Sequence, residues 1–288
     1  MNLMECNSLI QTFAEVIDTP APGSVKGARK LFTGVDLGTA YIVLAVVDEE
    51  GQPIAGAYQF AQVVRDGLVV DYSGAVRIVK QLKKRIEEQL NEDLIYGAVA
   101  YPPGTGMSDC RSIKYVAEAA GFEIIGAIDE PTAANAVLKI ENGAVVDIGG
   151  GTTGTAVIKD NVVVHVEDDP TGGTQFSLVI AGAKKISFEE AEEIKKNPSL
   201  EDELLPIIKP VMQKVATIIR SHIQDYEVEA VYLVGGTSSN KYIGKIIREE
   251  TGFPIITPLH PFLITPLGIA LYARQVDKER EPVFSRTI

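Results

Sequence analysis

The sequence predicts an α/β fold in which two related halves enclose a cleft. Three observations lead there. Strand-like and helix-like runs alternate along the chain, one strand–turn–strand unit occurs twice, and 288 residues are too many for one ordinary core and too few for three. The repeat is the most informative of these. Gly34-Val35-Asp36-Leu37-Gly38-Thr39 returns as Val145-Val146-Asp147-Ile148-Gly149-Gly150-Gly151-Thr152-Thr153, and each copy ends one apolar run and starts another.

In chain order, residues 8–18 set Leu9, Ile10, Phe13, Val16 and Ile17 on one face of a helix, and Thr19-Pro20-Ala21-Pro22-Gly23-Ser24 breaks it. A β-like run starts at Leu31, and Val43 to Val47 followed by the turn Asp48-Glu49-Glu50-Gly51-Gln52-Pro53 reads as a hairpin. Val76, Ile78, Val79, Leu82, Ile86 and Leu90 give residues 74–92 a helical stripe. The strand-like Gly97-Ala98-Val99-Ala100-Tyr101 comes next, closed by a proline pair. A helix over 109–120 and a short strand over 123–127 lead to Glu130-Pro131-Thr132, where proline suits a first helical turn. In the second copy Ala156-Val157-Ile158, the turn Lys159-Asp160-Asn161 and Val162 to Val166 repeat the hairpin. A third glycine site, Val231-Tyr232-Leu233-Val234-Gly235-Gly236-Thr237-Ser238, follows a buried-type strand and precedes a helical run over 241–250.

Charge and composition exclude several functions. A formal charge of −12 argues against a nucleic-acid partner, because neutralising phosphates needs clustered Lys and Arg. Cys6 and Cys110 lie far apart without CxxC spacing, so neither a disulfide scaffold nor a structural zinc is indicated. His165, His222 and His260 share no metal-ligand spacing. No run reaches the roughly 18 apolar residues of a membrane span, and the first residues lack a basic start followed by an apolar core. The expectation is a cytoplasmic protein.

The repeated unit carries the chemistry. A strand ending in Asp, a glycine turn and a second strand let backbone N–H groups approach an anion with no side chain in the way. One such turn is also what an ordinary hairpin carries. Two copies, the second with three glycines and two threonines, favour phosphate. Asp36 and Asp147 precede the two turns and suit a magnesium ion held through water, since that ion prefers oxygen and keeps several waters. Gly235 and Gly236 permit close approach of a flat ring. Glu130 stands at a helix start, where it either orients water on a terminal phosphate or simply stabilises the helix. Ala133, Ala134, Ala136, Gly268 and Ala270 either let two helices cross closely or are merely good helix formers.

With these residues in view, the chain resembles the actin-like ATPase superfamily, which takes in DnaK-type chaperones, the MreB and FtsA cytoskeletal proteins, and sugar and acetate kinases. Five segments carry the resemblance, over roughly Leu31 to Gln275. Asp36 to Ala40 and Asp147 to Thr153 look like its phosphate segments, and Leu233 to Ser238 like its adenosine segment. Asp129-Glu130-Pro131-Thr132-Ala133-Ala134 and Pro266-Leu267-Gly268-Ile269-Ala270 look like its connecting helices. The resemblance implies duplicated ribonuclease-H-like lobes, mixed sheets flanked by helices, with a nucleotide cleft between them. Residues 1–30 would be a helix and linker, 31–141 the first lobe, 142–262 the second, and 263–288 a helix returning to the first lobe with a tail.

It further implies ATP or ADP with Mg²⁺ in that cleft. Gly38, Thr39, Ala40 and Tyr41 would line one side, and Gly149, Gly150, Gly151, Thr152 and Thr153 the other, with Thr39 and Thr152 on phosphates. Glu192 and Lys195 would contact ribose or base beside Gly235, Gly236 and Thr237. Asp36 and Asp147 would hold the magnesium through water, and Glu130 would join them as the catalytic set by orienting the attacking water. One departure matters. The lysine that DnaK-type chaperones bring to the phosphates has no match, and residues 63–71 resemble instead a short MreB-type segment in which Arg65 could substitute. Hydrolysis is therefore expected to be slow or absent.

Within the superfamily the chain most resembles the EutJ family of ethanolamine utilisation, described as chaperone-like and linked to bacterial microcompartments. That implies a protein client or a microcompartment component as partner. An MreB- or FtsA-like filament or scaffold subunit is the alternative, and a small-molecule kinase a further one, although no long insertion suited to an acceptor pocket is present. The first helix is either a short targeting tail or a helix folded back on the first lobe.

Overall fold

The computed structural model describes residues 3–18, 30–65 and 67–280. After helix α1 (Leu3–Val16), the first sheet collects β1 (Phe32–Leu37), β2 (Tyr41–Val47) and β3 (Pro53–Phe60), a small hairpin of β4 (Val64–Arg65) and β5 (Leu68–Val69), helix α2 (Tyr72–Leu90), β6 (Tyr96–Tyr101), α3 (Met107–Ala119) and β7 (Glu123–Asp129). Helix α4 (Glu130–Leu138) leads to the second set. This comprises β8 (Gly143–Ile148), β9 (Thr153–Lys159), β10 (Val162–Asp169), α5 (Gly173–Lys184), α6 (Phe188–Lys195), α7 (Glu201–Ile223), β11 (Val231–Val234), α8 (Ile243–Thr251) and β12 (Ile255–Ile256). Helix α9 (Ile264–Arg280) closes the described chain.

The repeat read in the sequence becomes a repeat of topology. The five-stranded sheets run β3-β2-β1-β6-β7 and β10-β9-β8-β11-β12. In each, an antiparallel meander is extended by two parallel strands. Asp36 pairs with Val43 across the first meander, and Asp147 with Gly154 across the second. Both aspartates thus sit one residue before the end of the first strand of their meander, ahead of a glycine turn.

Three apolar clusters hold these layers. One packs α2 and α3 on the first sheet through Val35, Leu44, Ile86 and Ile113, and another packs α5, α7 and α8 on the second through Val146, Phe176, Ile219 and Ile247. The third joins the two sheets, placing Ala98 and Val145 with Ala133 and Val137 of α4 and Leu267 and Ala270 of α9. Here the small residues act in the crossing, not merely as helix formers. A Cβ at Gly268 would lie 2.0 Å from the Ala133 carbonyl oxygen, and one at Gly34 only 2.4 Å from that of Pro266. Backbone meets backbone there, so no side chain can be accommodated by repacking.

Several boundaries move from the sequence expectation. Helix α1 begins at Leu3 and ends at Val16, because Ile17 leaves the helix to bridge to Gly56 while the Asp18 N–H donates to the Gly56 carbonyl at 2.7 Å. The break expected at 19–24 and the tail after Arg280 lie outside the described residues. Gly235, at φ 86°, turns the chain into a single 3₁₀ turn over Gly236–Ser239, which delays helix α8 to Ile243.

These contacts set a contrast between two glycines on helices. Gly268→Ala should cost about 2–4 kcal/mol or abolish folding, as overpacking against a fixed backbone does. Gly182→Ala on α5, whose new methyl would meet nothing within 4 Å, should raise stability by about 0.5–1 kcal/mol. Thermal and urea denaturation of both variants checks this.

Candidate functional site

A cleft of about 650 Å³ opens between the sheets, within the range of small-ligand sites. It is built where the two glycine turns meet. A Cβ on Gly150 would stand 3.2 Å from both the Cβ and the backbone nitrogen of Ala40, and 3.4 Å from the Cβ of Thr39. The turn after β1 and the turn after β8 are therefore in near contact, and a side chain at Gly150 would push them apart.

The second turn is braced from behind. Gly173 and Thr174, at the start of α5, donate their N–H groups to the carbonyls of Gly149 (2.9 Å) and Gly150 (2.7 Å). The Thr237 hydroxyl donates to the same Gly149 carbonyl at 2.7 Å, joining the third glycine turn to the second. Gly235 lies closer still to the acidic centre, since a Cβ there would be 2.2 Å from Asp147 Oδ1. The sequence reading missed Gly172 and Gly173. Thr171-Gly172-Gly173-Thr174 is one more glycine turn at a helix start, and its likeness to the others is the signal that could have found it.

Three carboxylates converge at the floor. Asp36, Glu130 and Asp147 line the cleft together. Burial, and after it the charge of Asp147, raises the Asp36 carboxyl to about 7. Burial raises Asp147 to about 6, opposed by a hydrogen bond from the Thr265 hydroxyl of α9. Glu130 is held well above the usual carboxylate range by burial and then by Asp147, Asp36, Asp168 and Asp129. It occupies the first position of α4, whose N-cap is the neighbouring Asp129, accepting from the Thr132 N–H at 2.9 Å. Capping is thus done by Asp129. Asp168 is a further acidic residue that sequence spacing did not single out; β10 brings it opposite Gly154.

Glu192 and Lys195 stand on the far wall. Glu192 is only 5% exposed. It accepts from Lys195 Nζ at 2.5 Å and from the Ser177 hydroxyl, while Lys195 also donates to the Gly173 carbonyl at 2.9 Å. Burial lowers the Lys195 pKa, opposed by the charge of Glu192. Beside them Lys196 reaches over the rings of Phe60 (4.1 Å) and Tyr41 (5.3 Å), and Tyr41 and Tyr58 pack edge-on against Phe262.

The cleft thereby gathers Gly38, Thr39, Ala40, Tyr41, Gly149, Gly150, Gly151, Thr152, Glu192, Lys195, Gly235, Gly236 and Thr237 as well as the three acids. Thr153 is the exception among the candidates. It is fully buried and its hydroxyl donates to the Thr171 carbonyl at 2.6 Å, so it anchors the strand behind the turn and does not face the cleft. Arg65 does not line the cleft either; its neighbours Val64 and Gly67 do. No helix among the described residues is long and apolar enough to cross a membrane.

Comparison with known proteins agrees with this architecture. The family model of the type IV pilus assembly protein PilM matches residues 114–280. The ethanolamine utilization protein EutJ of Escherichia coli is 41% identical over 248 residues, covering 85% of this chain and 87% of that protein. The crystal structure of EutJ from Carboxydothermus hydrogenoformans superposes with a TM-score of 0.87 at 44% identity, over 94% of this chain and 100% of that one. MreB5 of Spiroplasma citri, solved with ADP, shares the fold at 16% identity, with a TM-score of 0.70 over 88% of this chain and 98% of its own. Duplicated sheets, a shared cleft and this degree of identity lead to one conclusion: the chain has the actin-like ATPase fold and belongs to the EutJ family of ethanolamine utilization proteins.

Proposed function

We propose that this protein binds a magnesium nucleotide, ATP or ADP, across the cleft, and that the nucleotide sets how closely two lobes, residues 31–141 and 142–262, approach each other. The observation that carries the reading is the contact of the two glycine turns, Gly150 against Thr39 and Ala40. With the Gly149 and Gly150 carbonyls tied to α5 and the Gly149 N–H donated to the Thr152 carbonyl at 3.0 Å, the N–H groups of Gly150 and Gly151 are what the turn would offer an anion. The Spiroplasma citri MreB5 structures with ADP and AMPPNP support the choice of ligand.

In this reading Thr39 and Thr152 bind phosphate, and Glu192 and Lys195 bind the ribose. Gly235 and Gly236 leave room for the base. The acidic floor would suit a magnesium ion held through water: burial raises both Asp36 and Asp147, the charge of Asp147 adds to Asp36, and a cation would relieve that cost. No group of three acids among the described residues stands close enough to ligate an ion directly. Bound there, the ion would neutralise phosphate charge. Glu130 is the residue of this chain suited to orient water, and a protonated Glu130 would be a poor acceptor for it. The reading is therefore a nucleotide switch first and a slow ATPase second. Membership of the EutJ family supports work in ethanolamine utilisation, with chaperone-like action on a protein client or microcompartment component as the output.

Calorimetric titration with Mg-ATP should give saturable binding by the parent chain. Asp147→Ala should weaken it by about tenfold or more, as loss of a charged partner does. Glu130→Gln should retain binding and lower any turnover by about a hundredfold. A parent chain that takes up no nucleotide would overturn the reading.

The carboxylates also fix a pH dependence. A raised pKa means the folded state keeps a proton that the unfolded chain releases near the usual carboxylate value. Asp36 therefore favours the fold most fully below about 4, and withdraws that contribution as pH rises through about 7. The ligand-free parent should lose melting temperature relative to Asp36→Asn between about pH 5 and pH 8, and added Mg²⁺ should narrow the gap at the alkaline end. Scanning calorimetry across that range tests both statements.

A further inference from the structure

We propose that helix α1 is a strap that ties the first sheet to the loop leaving the second and so restrains the opening of the cleft. One end of the strap is anchored on the first sheet. Cys6, Ile10, Phe13 and Val16 form its buried face, and the Phe13 ring lies so close to Gly56 of β3 that a Cβ there would be 2.6 Å away. The same Gly56 bridges to Ile17 and accepts the Asp18 N–H, and the Asp18 carboxylate pairs with Arg85 of α2 at 2.9 Å.

The polar side of the helix holds the other half. Asn7 Oδ1 accepts the Leu259 N–H at 3.0 Å, and Gln11 Oε1 meets His260 Nε2 at 3.2 Å. Leu259 and His260 lie in the loop after β12, the edge strand of the second sheet. His260 has φ 43°, a left-handed conformation unusual outside glycine. Its neighbours continue the link into the cleft. The Pro261 carbonyl accepts the Gly235 N–H at 3.0 Å, and Phe262 packs on Tyr41 with ring centroids 5.3 Å apart. Ala14 and Ile17 themselves line the cleft.

The chain of contact thus runs from β3 through α1 to His260, and from there to both the third glycine turn and the first. An apolar face alone would explain a helix that covers the first sheet. It does not explain side-chain bonds that reach past that sheet to a loop of the other. Those bonds are exposed and few, so the strap can yield at Asn7 and Gln11 while Phe13 keeps the helix docked.

The test uses the full chain without nucleotide, so its outcome does not depend on the proposed ligand. Asn7→Ala/Gln11→Ala should leave the melting temperature near that of the parent, and speed amide hydrogen exchange at residues 39–41 and 235–239 by about fivefold, with α2 and β8 unchanged. Phe13→Ala, which loosens the anchored end, should produce the same acceleration at both cleft segments. Exchange at the cleft equal to the parent's in the double variant, or a Phe13→Ala effect confined to α1, would overturn the strap.

Discussion

The centre of the molecule depends on two backbone turns that meet with little space for a side chain between them. Gly150 faces Ala40 and Thr39 with no room for a methyl group to spare, and Gly235 comes nearly into contact with Asp147. Glycine is needed at these positions for the space it leaves, and at Gly235 also for a positive φ. The same economy recurs beneath the cleft, where Gly34 and Gly268 bring β1, α4 and α9 together backbone to backbone. A ligand held between the turns touches both sheets at once. In the proposed reading its binding would be coupled to their separation, as a switch requires.

Close approach has an electrostatic consequence. The first strand of each meander carries an aspartate one residue before its end, so joining the turns also brings Asp36 and Asp147 near each other, and α4 adds Glu130 at its start. Burying three acids together is unfavourable, which is why all three carboxyls are raised. In the proposed reading a cation would relieve that cost. The helices around the cleft restrain it at different points. Thr265 of α9 bonds Asp147, Thr237 bonds Gly149, and α1 reaches His260.

Much of this was legible in the sequence because the signals were local. The duplicated Asp–glycine–threonine unit located both turns, both metal candidates and the fold class, and Glu130-Pro131 marked a helix start. What escaped reading was assembled across distance. Gly172 and Gly173 matter because α5 packs behind Gly149, and Asp168 enters because the β10 register sets it opposite Gly154. Lys196, Phe60 and Phe262 gather around Tyr41 only after separate segments converge. Thr153 misled because a second threonine after the glycines looks like a ligand, whereas strand alternation turns it inward. Helix α1 showed an apolar face but not the surface that covers it, and its polar contacts with Leu259 and His260 left no trace in spacing at all.

The central claim is that one nucleotide is held by both turns. A crystal structure of the chain grown with Mg²⁺ and a non-hydrolysable ATP analogue tests it most directly. The account predicts phosphate density between Thr39 and Thr152, with the cation on the side of Asp36 and Asp147. An analogue bound against one turn alone, or a cleft left empty at saturating concentration, would contradict it.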